Sequence, residues 1–397
     1  MARLNGFTKK QILDIYKKMV LSRKLDDKML IMLKQGKSFF HIGASGHEAA
    51  QLAAAVLITP GKDWSFPYYR DGAYCIGLGL KAREQLLGFL AKADDPSSGG
   101  RQMPQHYGQK DLRIVTQSSP TGTQFLQAVG CAMARKKEKT KEVVYVSSGE
   151  GTTSQGDFHE ALNWASNAKA PVIFHIQDNE YAISTHKSEQ TADSVYNMTA
   201  GYKNLSRYDV DGTDFFEANL AFDQAIERAR KGKGPSVIIS NVVRLLPHSS
   251  SDDQRKYRTE KSLNEDKKRD PLKVLEDQCL KAKFISASEF KNIRDKAIEQ
   301  VDKDAEWADG QDYPDPNTAL DHIYSNDDIH DEPSYNAISD KIVIVDAINH
   351  ALHEEMARNK NMVIYGQDIA DPKGGVFTAT KGLSDSFGSE RVFNSPL

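Results

Sequence analysis

Three stretches of the chain combine residue types that can hold an anion and a cation together. The first is Gly149-Glu150-Gly151, followed later by Asn179-Glu180-Tyr181. A carboxylate flanked by glycines lets backbone amides approach a diphosphate while the acid takes a cation, and Asn179 can add a neutral oxygen to the same ion. Mg²⁺ suits such a set, because it takes one or two carboxylates and completes its octahedron with substrate phosphate oxygens and water. A helix opening after Gly151 would point its N-terminus at the phosphates. The second stretch is Tyr69-Arg70-Asp71-Gly72, whose Arg is a natural bidentate phosphate partner. The third runs from Arg244 through His248-Ser249-Ser250-Ser251-Asp252-Asp253 to Tyr257-Arg258. A loop His suits such a place, since its charge responds to small changes near neutral pH. Taken alone, each stretch has a plain alternative: a strand–turn–helix with incidental glycines, a surface turn, and a solvated charged loop.

The elements that must position these residues follow from periodicity. Residues 8–35 carry apolar positions at helical spacing (Ile12, Ile15, Tyr16, Met19, Leu25, Met29, Leu33), with Thr8 as N-cap and Ser22 in the one gap of the stripe. A glycine-punctuated stretch, Gly36 to Gly46, leads to a second helix near His47 to Leu57. Residues 61–76 and 94–122 read as loop, with a short helix over 82–92 between them. From about 142 the pattern changes. Val143 to Val146, Pro171 to Ile176 and Ser236 to Ser240 are buried-strand candidates, separated by helices near 155–167 and 214–231. Strands alternating with helices imply an α/β fold with a parallel sheet. Ligands bind beyond the carboxyl ends of such strands, where Gly149–Gly151 and Gln177–Tyr181 fall. Residues 249–270 are polar and charge-dense, a helical stretch follows to about 303, and 304–340 reads as an acidic, Pro-containing linker. Order resumes at Ile342, with a helix near 346–358 and a strand at Met362 to Tyr365.

The text GEGTTSQGDFHEALNWASNAKAPVIFHIQDNEYAIST resembles the alpha subunit of the thiamine diphosphate-dependent 2-oxo acid dehydrogenases, their decarboxylating first component. The resemblance implies the thiamine diphosphate-binding fold, a parallel sheet with helices on both faces, over residues 1–303. It implies Mg²⁺ held by Glu150, Asn179 and the Tyr181 carbonyl. Tyr69, Arg70, Arg244 and His248 would grip the diphosphate, Ser119 would contact the cofactor ring, and Gly149, Gly151, Thr152 and Gln177 would line the cofactor site. His248 would also assist proton or acyl transfer, as the catalytic residue. Gly100-Arg101-Gln102-Met103-Pro104, His106-Tyr107-Gly108 and Ser118-Ser119-Pro120 are most similar to the branched-chain type, which implies a 2-oxoisovalerate-like substrate. In that family Ser118, Pro120, Thr123 and Gln124 can hold K⁺; a plain turn accounts for the same residues equally well. Ser249 matches a position that is phosphorylated in mitochondrial relatives, where added negative charge beside an anionic site would repel substrate or disorder the loop.

Residues 341–397 resemble the start of the beta subunit of the same enzymes. The resemblance rests on Gly366-Gln367-Asp368, Gly374-Gly375-Val376-Phe377, Thr380 with Gly382-Leu383, and Phe387-Gly388 through Arg391 to Leu397. The expectation is an alpha–beta fusion, cut short before a family glutamate that would follow Leu397. A beta-type half, a homo-oligomer and a lipoyl-bearing acyltransferase are the implied partners. Two departures stand out: Gln177 occupies a place where branched-chain relatives carry Arg, and Thr121 one where Leu is common. Gly77-Leu-Gly79-Leu-Lys-Ala82 imitates a dinucleotide fingerprint, but lacks a clear preceding strand and a following acid.

Composition bounds the rest. The 397 residues carry a net charge of −3, with 39% hydrophobic and 27% charged residues, which is ordinary for a globular protein. The balance argues against a nucleic-acid or membrane-surface protein. Cys75, Cys131 and Cys279 form no CxxC pair, which fits a reducing, cytoplasmic compartment. Two other readings stay open: a pyruvate or acetoin enzyme with the same cofactor, and a truncated, inactive assembly module.

Overall fold

The computed structural model describes residues 2–321, 323–324 and 341–396. The chain divides into two compact units, 1–319 and 320–397.

After a short antiparallel hairpin, Arg3–Leu4 with Phe7–Thr8, comes α1 (Lys9–Lys34), whose start is fixed by Thr8: its hydroxyl accepts from the Gln11 backbone N–H while the Gln11 side chain receives the Thr8 N–H. There follow α2 (Glu48–Ala55), β1 (Trp64–Phe66), α3 (Gly72–Leu78), α4 (Ala82–Phe89), α5 (Thr123–Lys137), β2 (Val144–Gly149), α6 (Gly156–Ala168), β3 (Val172–Asp178), β4 (Ser206–Asp211), α7 (Phe215–Arg230), β5 (Ser236–Asn241), α8 (Glu260–Lys268), α9 (Pro271–Lys281) and α10 (Ala287–Asp309). The five strands form one parallel sheet in the order β1-β2-β3-β5-β4. Alternation along the central strands sends side chains to two cores. Tyr145, Ile173 and Ile238 pack among α1, α2, α3 and α7, while Val144, Val146, Phe174, Ile176, Val237 and Ile239 pack among α5 and α6. Helices therefore cover both faces, as expected. Gly149 pairs with Gln177 across β2 and β3, so the Gly-Glu-Gly turn and the Asp178-Asn179 exit leave the sheet side by side.

Several sequence expectations change. Residues 61–76 are not all loop, since they hold β1 and the start of α3; three residues of strand are too few to show a period. The helix α5 follows directly on the irregular 94–122 stretch. The edge strand β4 was not visible, because of its six residues only Val210 is buried. The segment 249–270 contains α8. The linker does not begin at 304. α10 continues to Asp309, with Ala305 and Ala308 buried against Met32, Leu86 and Leu90. Beyond it, Lys92 donates to the Asp309 and Gln311 carbonyls (2.9 and 2.8 Å) and Arg101 to the Thr318 carbonyl (3.0 Å), so residues 310–318 lie on the first unit. The linker residues 325–340 and Leu397 lie outside the described residues.

In the second unit, α11 (Ile344–Arg358), β6 (Ile364–Gly366), α12 (Leu383–Phe387) and β7 (Val392–Asn394) enclose a small core of Met356, Leu383 and Val392. β6 and β7 pair in parallel. Arg391 ties the unit by donating to the carbonyls of Met356, Asn359 and Met362. No helix among the described residues is long and apolar enough to cross a membrane.

Candidate functional site

Glu150 leaves β2 as the first residue of a tight 3-10 turn, Glu150–Ser154, that precedes α6. Its carboxylate is 2% exposed. One oxygen, Oε2, accepts the Asn179 backbone N–H at 3.3 Å, and the other, Oε1, is buried without a hydrogen-bond partner. Burial pushes this carboxyl up to about 7, and the charge of Asp178 adds to the rise. A buried carboxylate oxygen with no donor is unfavourable unless a cation meets it. Asn179 turns its Oδ1 toward the Tyr181 N–H at 3.2 Å, and Tyr181 begins a two-residue antiparallel ladder with His186 and Thr185. One carboxylate, one amide oxygen and a neighbouring carbonyl are hard oxygen donors, which fit Mg²⁺ sharing its remaining positions with phosphate oxygens. Among the described residues no three His, Cys, Asp or Glu side chains gather as a self-sufficient metal set.

The cationic groups gather where two loops are laced together. His41 and Ser250 exchange hydrogen bonds (2.8 and 3.1 Å), and the Leu245 N–H donates to the Ser45 carbonyl at 3.2 Å. Asp26, reaching up from α1, holds the Ala44 N–H and the Ser45 hydroxyl (2.8 and 2.7 Å) and pairs with His41 at 3.2 Å. Between these loops Arg70, 2% exposed, donates to the Gly43 and His248 carbonyls and to His248 Nδ1 (2.8, 2.9 and 3.0 Å). A guanidinium only donates, so His248 Nδ1 accepts and its proton sits on Nε2. Burial, then Arg70, then Arg244, hold His248 down to about 4. The Tyr69 ring lies against both Arg70 and His248. Arg244, 1% exposed, donates to the Ile183 carbonyl at 2.9 Å and the Tyr257 hydroxyl at 2.7 Å, while its Nε has no partner. Burial and the neighbouring Arg70 lower its pKa from the ordinary value. Arg244 and Arg258 flank the Tyr181 ring, at 5.6 and 4.8 Å from its centre. A buried guanidinium whose charge is disfavoured by its surroundings, as that of Arg244 is, favours an anion beside it.

Thr152 follows Gly151 in the same turn and accepts a hydrogen bond from the Ser148 hydroxyl at 2.7 Å. The 118–124 turn packs on it: a Cβ on Gly122 would lie 3.3 Å from the Thr152 methyl. In that turn Ser118 bonds Thr123, whose hydroxyl also donates to the Pro120 carbonyl at 3.1 Å, so three of the four oxygens read as a K⁺ set come together. Gln124 is buried and turns its amide nitrogen to the Ser147 carbonyl at 3.0 Å. Ser119 bonds His106 Nε2 at 2.8 Å.

Gln177, expected to line the cofactor site, is held by a buried network of protein partners. Its Nε2 donates to Asp71 at 2.6 Å, and its oxygen faces His47 Nδ1, Gln51 Nε2 and the Tyr68 hydroxyl at 2.8, 3.0 and 3.4 Å. Three donors saturate that oxygen, leaving only the second amide N–H for any ligand. Sequence reasoning missed all four partners in this network, Gln51 and Tyr68 among them. Asp71 was noted only as part of its loop, yet it is fully buried and pushed up to about 7 by burial. His47 was noted only as a helix start. It is wholly buried, and burial with Arg70 nearby holds it down to about 3. Gly46 makes its placement feasible: φ is +105°, and a Cβ there would lie 2.0 Å from the Val243 carbonyl. That glycine immediately before a polar helix start was the available signal.

The chain is similar to known proteins over most of its length. Residues 16–317 match the dehydrogenase E1 component family, and residues 340–397 match the transketolase pyrimidine binding domain. The 2-oxoisovalerate dehydrogenase subunit alpha of Bacillus subtilis is 40% identical over 321 residues, covering 81% of this chain and 97% of that protein. The pyruvate dehydrogenase E1 component subunit alpha of Staphylococcus aureus is 35% identical over 266 residues, 67% of this chain and 69% of that one. The mitochondrial 2-oxoisovalerate dehydrogenase subunit alpha of Macaca fascicularis is 33% identical over 321 residues, 80% and 71% respectively.

Proposed function

As this chain belongs to the dehydrogenase E1 component family, we propose that it decarboxylates a branched-chain 2-oxo acid of the 2-oxoisovalerate type. The acyl group would pass to the lipoyl group of a partner acyltransferase. The observation that carries the substrate class is the similarity to a 2-oxoisovalerate enzyme over 97% of that relative's length.

Thiamine diphosphate, when bound, supplies the electron sink for the decarboxylation. The chain's own residues would do the rest. Glu150 Oε1, Asn179 Oδ1 and the Tyr181 carbonyl would hold Mg²⁺, a reading supported by the unpartnered buried carboxylate oxygen. Tyr69, Arg70, Arg244 and His248 would bind the diphosphate, with the Arg70 and Arg244 charges answering its charge. Gly149, Gly151 and Thr152 would line its approach, and Ser119 would meet the cofactor ring. His248 carries one proton, on Nε2, and would hold it toward an anionic oxygen. Ser118, Pro120, Thr123 and Gln124 would hold K⁺ if the turn takes a cation. A beta-type half, supported by the match at 340–397, and assembly as a homo-oligomer complete the proposal.

A second reading, pyruvate as substrate, is supported by the 35% identity to a pyruvate enzyme. Decarboxylation of 2-oxoisovalerate and pyruvate by the full protein, with thiamine diphosphate, Mg²⁺ and an artificial electron acceptor, decides between them. A preference for 2-oxoisovalerate of about tenfold in kcat/KM, or about 1.4 kcal/mol of differential transition-state binding, supports the branched-chain assignment. The reverse preference overturns it, and turnover of neither substrate overturns the decarboxylase reading.

A further inference from the structure

A buried chain of hydrogen bonds runs from Asp71 to Asn179, and each link leaves one choice for the next. Gln51 Oε1 accepts the Ala73 and Tyr74 backbone N–H groups (3.1 and 3.3 Å), so its other end is nitrogen. That nitrogen donates to the Arg70 carbonyl and to Gln177 (2.9 and 3.0 Å), so the Gln177 atom it meets is oxygen. The Asp71 carboxyl agrees, taking a hydrogen bond from the opposite end of the Gln177 amide at 2.6 Å. The Gln177 oxygen in turn faces His47 Nδ1 at 2.8 Å. Nδ1 must therefore carry the proton, and Nε2 is left as an acceptor. Nε2 faces Asn179 Nδ2 at 3.5 Å, the long end of the hydrogen-bonding range. On the other side, Asn179 Oδ1 accepts the Tyr181 N–H. A flipped Asn179 amide would set oxygen against the His47 lone pair and nitrogen against the Tyr181 N–H, two repulsive contacts between buried groups.

We propose that His47 is a positioning residue: the Asp71–Gln177–His47 chain locks the Asn179 carboxamide with its oxygen toward the cation that Glu150 would share. The inference rests on the reading of Glu150 and Asn179 as Mg²⁺ ligands, and it gives Gln177 a task that a direct phosphate contact would not. Groups that orient metal ligands typically change metal affinity by about 10–100-fold when removed.

The test is the Mg²⁺ dissociation constant at saturating thiamine diphosphate, measured by calorimetry on the full chain in two backgrounds. His47→Leu removes the acceptor and is expected to weaken Mg²⁺ binding about tenfold or more. His47→Gln, which offers an oxygen near the Nε2 position, is expected to restore most of it. Asn179→Asp supplies a carboxylate whose two ends are both oxygen, so orientation no longer matters. In the Asn179→Asp background, where an oxygen already faces the His47 Nε2 lone pair, His47→Leu is expected to cause no loss of affinity. Equal losses in both backgrounds would show that His47 only packs, and loss in neither would show that it does nothing for the ion; either overturns the proposal. If the unaltered protein takes up thiamine diphosphate without any dependence on Mg²⁺, the parent reading falls and this inference with it.

Discussion

Gly149 and Gly151 flank the same carboxylate, but their surroundings predict opposite responses to alanine. A Cβ on Gly151 would lie 2.6 Å from the Ala182 Cβ. Carbons at rest sit about 3.5–4.0 Å apart, so the two must separate by roughly 1 Å. Neither can rotate away, since each is fixed to its backbone. The strain therefore falls on the Tyr181–Ala182 ladder or on the Glu150–Ser154 turn. Overpacking of this kind costs about 1–3 kcal/mol, a factor of roughly 5–150 in the folding equilibrium. It also moves the Tyr181 carbonyl, and Mg²⁺ tolerates little departure from its octahedron, so the ion should bind about tenfold more weakly. A Cβ on Gly149 would meet only Tyr68 Cε2 at 3.9 Å and the Gln177 carbonyl at 4.0 Å, which is ordinary contact. Gly149→Ala should leave stability within about 0.5 kcal/mol. Urea unfolding of both variants, with and without Mg²⁺ and thiamine diphosphate, measures the difference. Equal stability of the two variants would refute the claim that close packing of the turn on the ladder sets the ligand geometry.

Three further outcomes follow from the same site and its support. Glu150 titrates near 7 in the folded, metal-free chain rather than at the usual 4.5, so the folded state holds this proton more tightly. Its contribution therefore weakens folding progressively as pH rises from about 4.5 to 7 and is constant above, on the order of 3 kcal/mol. Glu150→Gln should remove that slope and stabilise the metal-free protein at pH 8, as read from unfolding curves across the range. His248 should titrate near 4 in the free protein and move upward when a diphosphate binds beside it, because an anion favours the imidazolium; ¹³C-histidine NMR, with His248→Gln for assignment, reports both values. Lys92→Met should lower the unfolding free energy by about 2 kcal/mol, since a buried ammonium donating to two carbonyls is lost. The same change should open residues 310–318 to protease, as limited digestion with mass mapping would show.

What was legible in the sequence depended on range. The Gly-Glu-Gly turn and Asn179 were readable because each sits just beyond a continuous apolar strand, and the sheet places strand ends together whatever the helices do. The capped first helix was readable because Thr8 stands just before a stripe of apolar residues at helical spacing. The β4 edge strand was hidden by its polar composition, and the end of α10 by small buried alanines among exposed acids. The Gln177 environment was the hardest to read. Its partners His47, Gln51, Tyr68 and Asp71 come from α2 and the β1–α3 connection, and nothing local to Gln177 announces them. A substitution of Gln for Arg looks like the loss of a cation until the buried acid and imidazole around it are seen.

The central claim is that Glu150, Asn179 and Tyr181 hold the cation that anchors the cofactor diphosphate. Anomalous diffraction from crystals grown with Mn²⁺ in place of Mg²⁺, and with thiamine diphosphate, tests it directly. The expected result is one Mn²⁺ peak at bonding distance from Glu150 Oε1, Asn179 Oδ1 and the Tyr181 carbonyl, which would account for the buried oxygen without a partner. Cofactor density with the Mn²⁺ peak elsewhere, or with Glu150 left unligated, would contradict it.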